Sequence, residues 1–229
     1  MSEARFRLRV TYRKAGPLRF LSHLETARAC ERAVRRAGLP YAVTHGFNPH
    51  MRIAFGPALP VGMAGLGELY DVWLSDFVAP GEVFERLSRV TREDLRPVAC
   101  RYVELKAPSL AAAAEVAHYE VMVSGPPGVA RALADGLGAL SESGTLTVQH
   151  KGKQKVFELA DALLKEPVAR EVDGDVVVEI ATLMSERGSL RPDALVRAAL
   201  GPALEAVASV SVTRTRLAAR AADGTEEAL

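Results

Sequence analysis

From Arg5 to Tyr12 the chain alternates strictly. Phe6, Leu8, Val10 and Tyr12 fall on one side, and Arg5, Arg7, Arg9 and Thr11 fall on the other. Successive side chains of a strand point to opposite faces, so the pattern predicts a strand with one face in a core and one face carrying three arginines. Helical spacing would scatter both sets around the axis.

The segments that follow suggest what covers the apolar face. Ala15-Gly16-Pro17 turns the chain, and Leu18–Leu21 is expected to extend again. Ser22 with Glu25 three residues on forms the S-x-x-E capping box, which opens a helix running to about Ala37. Gly38-Leu39-Pro40 stops it. Its apolar positions Leu24, Ala27, Cys30, Val34 and Ala37 recur at helical spacing, while Arg28, Arg32, Arg35 and Arg36 occupy another face. Tyr41–Thr44 and Met51–Phe55 read as strands on either side of the loop Gly46–His50. A loop rich in Pro and Gly leads to a strand at Leu69–Leu74 and a short helix with Val83, Phe84 and Leu87 inward, and Pro97–Leu105 reads as a closing strand. Strand–helix–strand–strand–helix–strand is the order of a ferredoxin-like α+β sandwich.

Ala107–Ala117, rich in Ala and holding Pro108, reads as a linker, after which the pattern recurs. Strands are expected at His118–Val123, Leu146–His150, Val176–Ile180 and Val207–Leu217. Helices are expected at Val129–Leu140, Val156–Leu164 and Leu190–Leu200, the last capped by Ser189. GSLRPDALVRAAL (Gly188–Leu200) echoes GPLRFLSHLETARA (Gly16–Ala29). The expected fold is therefore two ferredoxin-like (βαββαβ) sandwiches in tandem: an N-terminal domain over 1–106, a linker over 107–117 and a C-terminal domain over 118–219.

The 229 residues are 48% apolar and 25% charged, an ordinary globular composition rather than that of a disordered chain. No run approaches the ~20 apolar residues that span a bilayer, and MSEARFRLRV holds no apolar signal core. Cys30 and Cys100 make neither a disulfide framework nor a zinc pairing. A reduced, cytoplasmic protein without a membrane partner is expected.

Charge is unevenly spread. Residues 1–55 hold eleven Lys/Arg, ten of them arginine, against Glu3, Glu25 and Glu31, a net of +8, while the whole chain is only +1. A basic block on an otherwise mildly acidic chain points to a polyanion-facing side. The guanidinium fork suits phosphate. The strand arginines Arg5, Arg7 and Arg9, on a sheet face the helices leave open, are the natural phosphate track. Arg13, Lys14, Arg19, Arg28, Arg32 and Arg52 extend the basic surface. GFNPH (Gly46–His50) is a stiff turn that presents Asn48 and His50. His23 lies in the first helical turn, where backbone N–H groups favour an anion. His150–Lys155 is a second basic, hairpin-like segment.

The motifs GPLRFLSHLE (Gly16–Glu25), ERAVRRAGLP (Glu31–Pro40), GFNPH, ALPVG (Ala58–Gly62) and GELYDV (Gly67–Val72) together resemble a bacterial family of uncharacterised, radical-SAM-linked proteins. The resemblance implies a domain fused to, or encoded beside, a cobalamin-type radical SAM protein. His45 departs from the expected Gln and Met51 from the expected Pro. The chain has no C-x-x-x-C-x-x-C triplet to hold an iron–sulfur cluster, so radical SAM chemistry is assigned to the partner. No cofactor and no metal is expected.

The leading expectation is an RNA-binding accessory or substrate-presenting protein for a separate radical SAM enzyme, recognising RNA of the tRNA or rRNA class. The same RNA-binding role could instead serve RNA maturation. Its RNA-binding residues are Arg5, Arg7, Arg9, Arg13, Lys14, Arg19, His23, Arg28, Arg32, Asn48, His50 and Arg52. Two alternatives stay open. One is a protein-interaction adaptor for the radical SAM partner without nucleic acid. The other is a metal-independent endoribonuclease using His23 and His50 as acid and base.

Overall fold

In the computed structural model, which describes residues 3–150, 152–185 and 188–229, the alternating segment is strand β1 (Phe6–Lys14). The chain divides between Ala114 and Glu115 into two compact units.

The first unit continues with helix α1 (His23–Arg36), β2 (Ile53–Phe55), β3 (Ala64–Leu74), α2 (Pro80–Val90), β4 (Pro97–Val103) and α3 (Leu110–Ala113). β1 lies between β3 and β4, and β2 pairs with the far side of β3, every pairing antiparallel. The order across the sheet is therefore β4-β1-β3-β2. Leu8 and Val10 of β1, Tyr70, Val72 and Leu74 of β3, and Cys30, Val34, Val83 and Leu87 of the two helices form one core. Fully burying an aliphatic side chain of this kind contributes about 1.5–3 kcal/mol.

α1 begins and ends where its sequence signals stand. Ser22 accepts from the Glu25 N–H, and the Glu25 carboxylate accepts from the Ser22 N–H at 2.8 Å. Gly38, at φ +62°, turns the chain out of the helix.

Four local expectations change. Leu18–Leu21 does not extend: Pro17 starts a 3-10 turn over Gly16–Phe20, with Leu18 N–H bonded back to Ala15 O and Leu21 N–H to Leu18 O. Tyr41–Thr44 makes only isolated bridges, Tyr41 to Leu74 and Val43 to Met51. β3 begins five residues early, at Ala64, and the Glu68 side chain lies over Gly65, 2.6 Å from where a Cβ would stand. The 107–117 segment, expected as a linker, holds α3, capped by the Ser109 hydroxyl, with Leu110 only 1% exposed.

The second unit runs β5 (Val116–Ser124), α4 (Val129–Ser143), β6 (Thr145–His150), β7 (Lys153–Glu158), α5 (Leu159–Ala162), β8 (Val168–Val172), β9 (Asp175–Leu183), α6 (Pro192–Leu200), β10 (Ser209–Arg220) and β11 (Glu226–Ala228). Its sheet has the order β10-β5-β9-β8, again antiparallel throughout, with β11 added on β10. β6 and β7 form a separate hairpin.

The expected helix at Val156–Leu164 is instead the end of β7 and the single turn α5. Lys-Gln-Lys-Val-Phe-Glu alternates as a strand should, and Phe157 registers opposite Leu146. β8 was not expected, although Asp173-Gly174, with φ of +51° and +88°, is a two-residue hairpin signal between it and β9. Ser189 does not cap α6, which starts at Pro192 after Arg191. Of the basic segment 150–155, Lys151 and the side chains of His150 and Lys153 lie outside the described residues. Both units are α+β. No helix among the described residues is long and apolar enough to cross a membrane.

Candidate functional site

The expected arginine track is not on an open face. Arg7 and Arg9 are 3% and 5% exposed, and Asp71, registered opposite Arg9 on β3, is 0% exposed. Arg9 Nε and Nη2 donate to the two oxygens of Asp71 at 2.8 and 3.0 Å. Arg7 Nε and Nη2 donate to Asp71 Oδ2 at 2.9 and 2.6 Å. The remaining Arg7 donors go to backbone: Nη1 to Ala107 O and Nη2 to Pro108 O at 2.8 Å. Two buried guanidinium groups need a counter-charge and a full set of acceptors. One carboxylate supplies the first, and the chain leading into α3 completes the second for Arg7. Phosphate roles for Arg7 and Arg9 are thereby withdrawn, and only Arg5 of the three is exposed.

Lys14 is corrected for the same reason: it is 2% exposed and donates to Leu21 O at 2.7 Å. Arg13 and Arg19 are half-buried, and Arg19 stacks its guanidinium 4.9 Å from the Phe20 ring. His23 is exposed at the start of α1, its ring centroid 5.8 Å from that of Phe55 in an edge-to-face arrangement. The helix terminus beside it already holds an anion, the Glu25 carboxylate. Hydrogen bonds from the Ser22 backbone and side chain lower the Glu25 pKa below its ordinary value. Arg28, Arg32, Arg35 and Arg36 stand in solvent on α1, Arg35 paired with Glu31 at 3.5 Å.

The GFNPH segment is a braced loop. Thr44 N–H donates to His50 O at 2.8 Å, and His50 N–H donates to Thr44 Oγ1 at 3.2 Å. The His50 ring Nδ1 sits 3.1 Å from Thr44 Oγ1 and 3.2 Å from Asn48 O. His50 is thus the brace of the turn rather than a group offered from it. The tip consists of His45, Gly46 (φ +135°), Phe47, Asn48 and Pro49, all exposed, with Phe47 fully so. Phe47 stands beside the two loop residues expected from the sequence, Asn48 and His50. Its own signal was present, since an aromatic ring flanked by Gly and Asn-Pro has no core-facing periodicity to follow.

Arg52 follows the loop, exposed, its guanidinium 4.6 Å from the Trp73 ring centroid. Arg7 lies 5.0 Å from the same centroid. The Trp73 backbone N–H donates to Arg52 O at 3.0 Å, and the Arg5 backbone N–H donates to Leu74 O at 2.9 Å. Arg5 and Arg52 therefore stand at the sheet end from which the GFNPH loop leaves. His23 and His50 are not brought together. His23 lies beside Phe55 at the end of β2, whereas His50 is bound to Thr44 before β2 begins. Among the described residues no three His, Cys, Asp or Glu side chains converge as a metal site, His23, His45 and His50 included.

Two other motifs do meet. Gly62 N–H of ALPVG donates to Arg19 O of GPLRFLSHLE at 3.0 Å, and the Phe20 ring faces Gly62 (φ +91°). Around this contact Phe20, Leu24 and Val61 are 58–66% exposed.

No curated protein matches the sequence. Among solved structures, a chain of "Crystal Structure of a Cbf5-Nop10-Gar1 Complex" superposes with a TM-score of 0.48 and 11% sequence identity, covering 92% of this chain; this chain spans 48% of that one. The family described as "Uncharacterized protein conserved in bacteria (DUF2344)" matches residues 7–192, and the chain belongs to that family.

Proposed function

We propose that the chain is a cytoplasmic RNA-binding accessory protein that presents single-stranded RNA of the tRNA or rRNA class to a separate radical SAM enzyme. The observation that carries the reading is the fully exposed Phe47 ring on a loop braced by Thr44 and His50. A rigid aromatic platform stacks an unpaired base with little ordering cost, and an amide beside it (Asn48) can read a base edge. Arg5 and Arg52 at the same sheet end take the flanking phosphates. The radical SAM partner follows from the family resemblance of the motifs. The strand orders β4-β1-β3-β2 and β10-β5-β9-β8 support reading each unit as a ferredoxin-like sandwich, the second interrupted by the β6-β7 hairpin and α5.

Fluorescence anisotropy with labelled tRNA and rRNA fragments tests this. Phe47→Ala weakens binding by the worth of one stacked base, about 1–3 kcal/mol or roughly 5- to 150-fold, with an unchanged circular dichroism spectrum. Absent binding, or binding indifferent to both Phe47→Ala and Arg52→Glu, overturns the proposal.

The exposed Phe20, Leu24 and Val61 favour a second reading, a protein-interaction adaptor that contacts the radical SAM partner directly. Co-purification with that partner after nuclease treatment, lost in Phe20→Asp, distinguishes it.

A further inference from the structure

The first unit carries a groove of about 320 Å³ between α1, the 3-10 turn before it and the end of α2. Leu18 and Leu21 form one end, Ala29 and Ala33 of α1 one wall, and Val90 and Leu95 the other. Leu18, Ala29 and Val90 are only partly buried and rest on the core beneath. The floor is therefore apolar and still wet.

The rim has one sign. Arg32 and Arg36 rise from the α1 wall, one helical turn apart, and Arg92 rises from the opposite wall. No carboxylate lines the groove. The acidic groups nearby in sequence are engaged or outside it: Glu25 is held by Ser22, Glu31 by Arg35, and Glu93 and Asp94 do not contribute to the lining. Arg32, Arg36 and Arg92 themselves carry no ion pair among the described residues. Three guanidinium groups arranged on both lips of an apolar slot select an occupant that is apolar along one stripe and acidic on either side of it.

We infer that this groove is the docking site for a short amphipathic acidic segment of a protein partner, a helix whose aliphatic side chains enter between α1 and α2. Its carboxylates, spaced one turn apart, pair with Arg32 and Arg36, and a carboxylate on its other flank pairs with Arg92. Helix-in-groove recognition uses anchors at i, i+3 or i+4, and i+7, and the planar guanidinium fork holds a carboxylate bidentately. An RNA strand has phosphates for the rim but nothing aliphatic for the floor. The inference is independent of the RNA reading, since the two surfaces share no residue except that Arg32, first assigned to RNA, belongs here to the partner.

The test uses the full chain and a fluorescein-labelled 14-residue peptide with Leu at i, i+3 and i+7 and Glu flanking them, beside versions carrying Gln or Lys in place of Glu. The Glu peptide binds saturably, and the Gln and Lys versions bind at least tenfold more weakly. Arg32→Glu/Arg36→Glu, at exposed positions that leave the core untouched, reverses the preference toward the Lys peptide. Ala29→Trp, which fills the wall, lowers affinity for every version. Phe47→Ala leaves peptide binding unchanged, so failure here and failure of the RNA reading are separable. Equal binding of the three peptides, no saturable binding, or displacement of the Glu peptide by a tRNA fragment overturns the inference.

Discussion

Asp71 and the two arginines facing it show how much one acidic residue decides in a basic chain. Three charges are buried together, and the pair of guanidinium groups is tolerable only because the carboxylate and two carbonyl oxygens meet their N–H groups. Asp71→Asn keeps the shape but removes the counter-charge. It is expected to cost about 3–5 kcal/mol, read as a lower midpoint in urea unfolding, whereas Arg5→Gln at the exposed start of the stripe leaves the midpoint unchanged. The sequence showed which side of β1 the arginines take. It did not show that Asp71, more than sixty residues away, would register against them, because strand pairing is a tertiary fact. The thiols are simpler. Burial pushes both Cys30 and Cys100 up to about 12 from an ordinary 9.0. A neutral thiol favoured by the fold contributes stability in full below pH 9 and loses it as the pH rises from there toward 12. Neither thiol of the folded chain is expected to react with Ellman's reagent at pH 8, and both react in guanidinium chloride.

Elements with local punctuation were legible, and those defined by packing were not. α1 carries its own start and stop, and Ser22→Ala is expected to cost roughly 0.5–2 kcal/mol by thermal melting. The same substitution removes only the hydroxyl's share of the Glu25 depression, because the residue 22 N–H, the larger cause, stays; an NMR titration is expected to show a partial upward return. In the native chain that pKa is depressed, so the contribution of Glu25 is present above the ordinary carboxylate range and fades as the pH falls through the lowered value. The hairpin at Asp173-Gly174 was equally readable and was missed because β8 is short and half polar. By contrast, nothing local announces that Gly136 of α4 lies against the Ala199 carbonyl of α6. Gly136→Ala would place a methyl group inside that carbonyl and force the helices apart, an overpacking cost of about 1–3 kcal/mol in the same melting experiment.

At the scale of the molecule, the basic block of residues 1–55 was plain from composition, but its arginines serve different ends. Some are internal struts, some line a groove, and only Arg5 and Arg52 stand beside the exposed loop. That division sets the salt response expected of RNA binding. Two phosphate contacts on a single strand give a slope of about −1.4 in log affinity against log salt, and Arg52→Glu removes about half of it. A slope several times steeper would mean that the α1 arginines join the contact. The mixed α+β character was also legible, since turn residues and periodicity recur along the chain. What was hidden is how residues 107–113 are used: an Ala-rich stretch reads as a tether, yet it hands two carbonyl oxygens to Arg7 and buries Leu110. Anyone wishing to produce the first half alone should therefore cut the gene after Ala114. A protein ending at residue 106 would leave the Arg7 guanidinium without its two carbonyl acceptors, Asp71 alone remaining, and a gap where a leucine belongs.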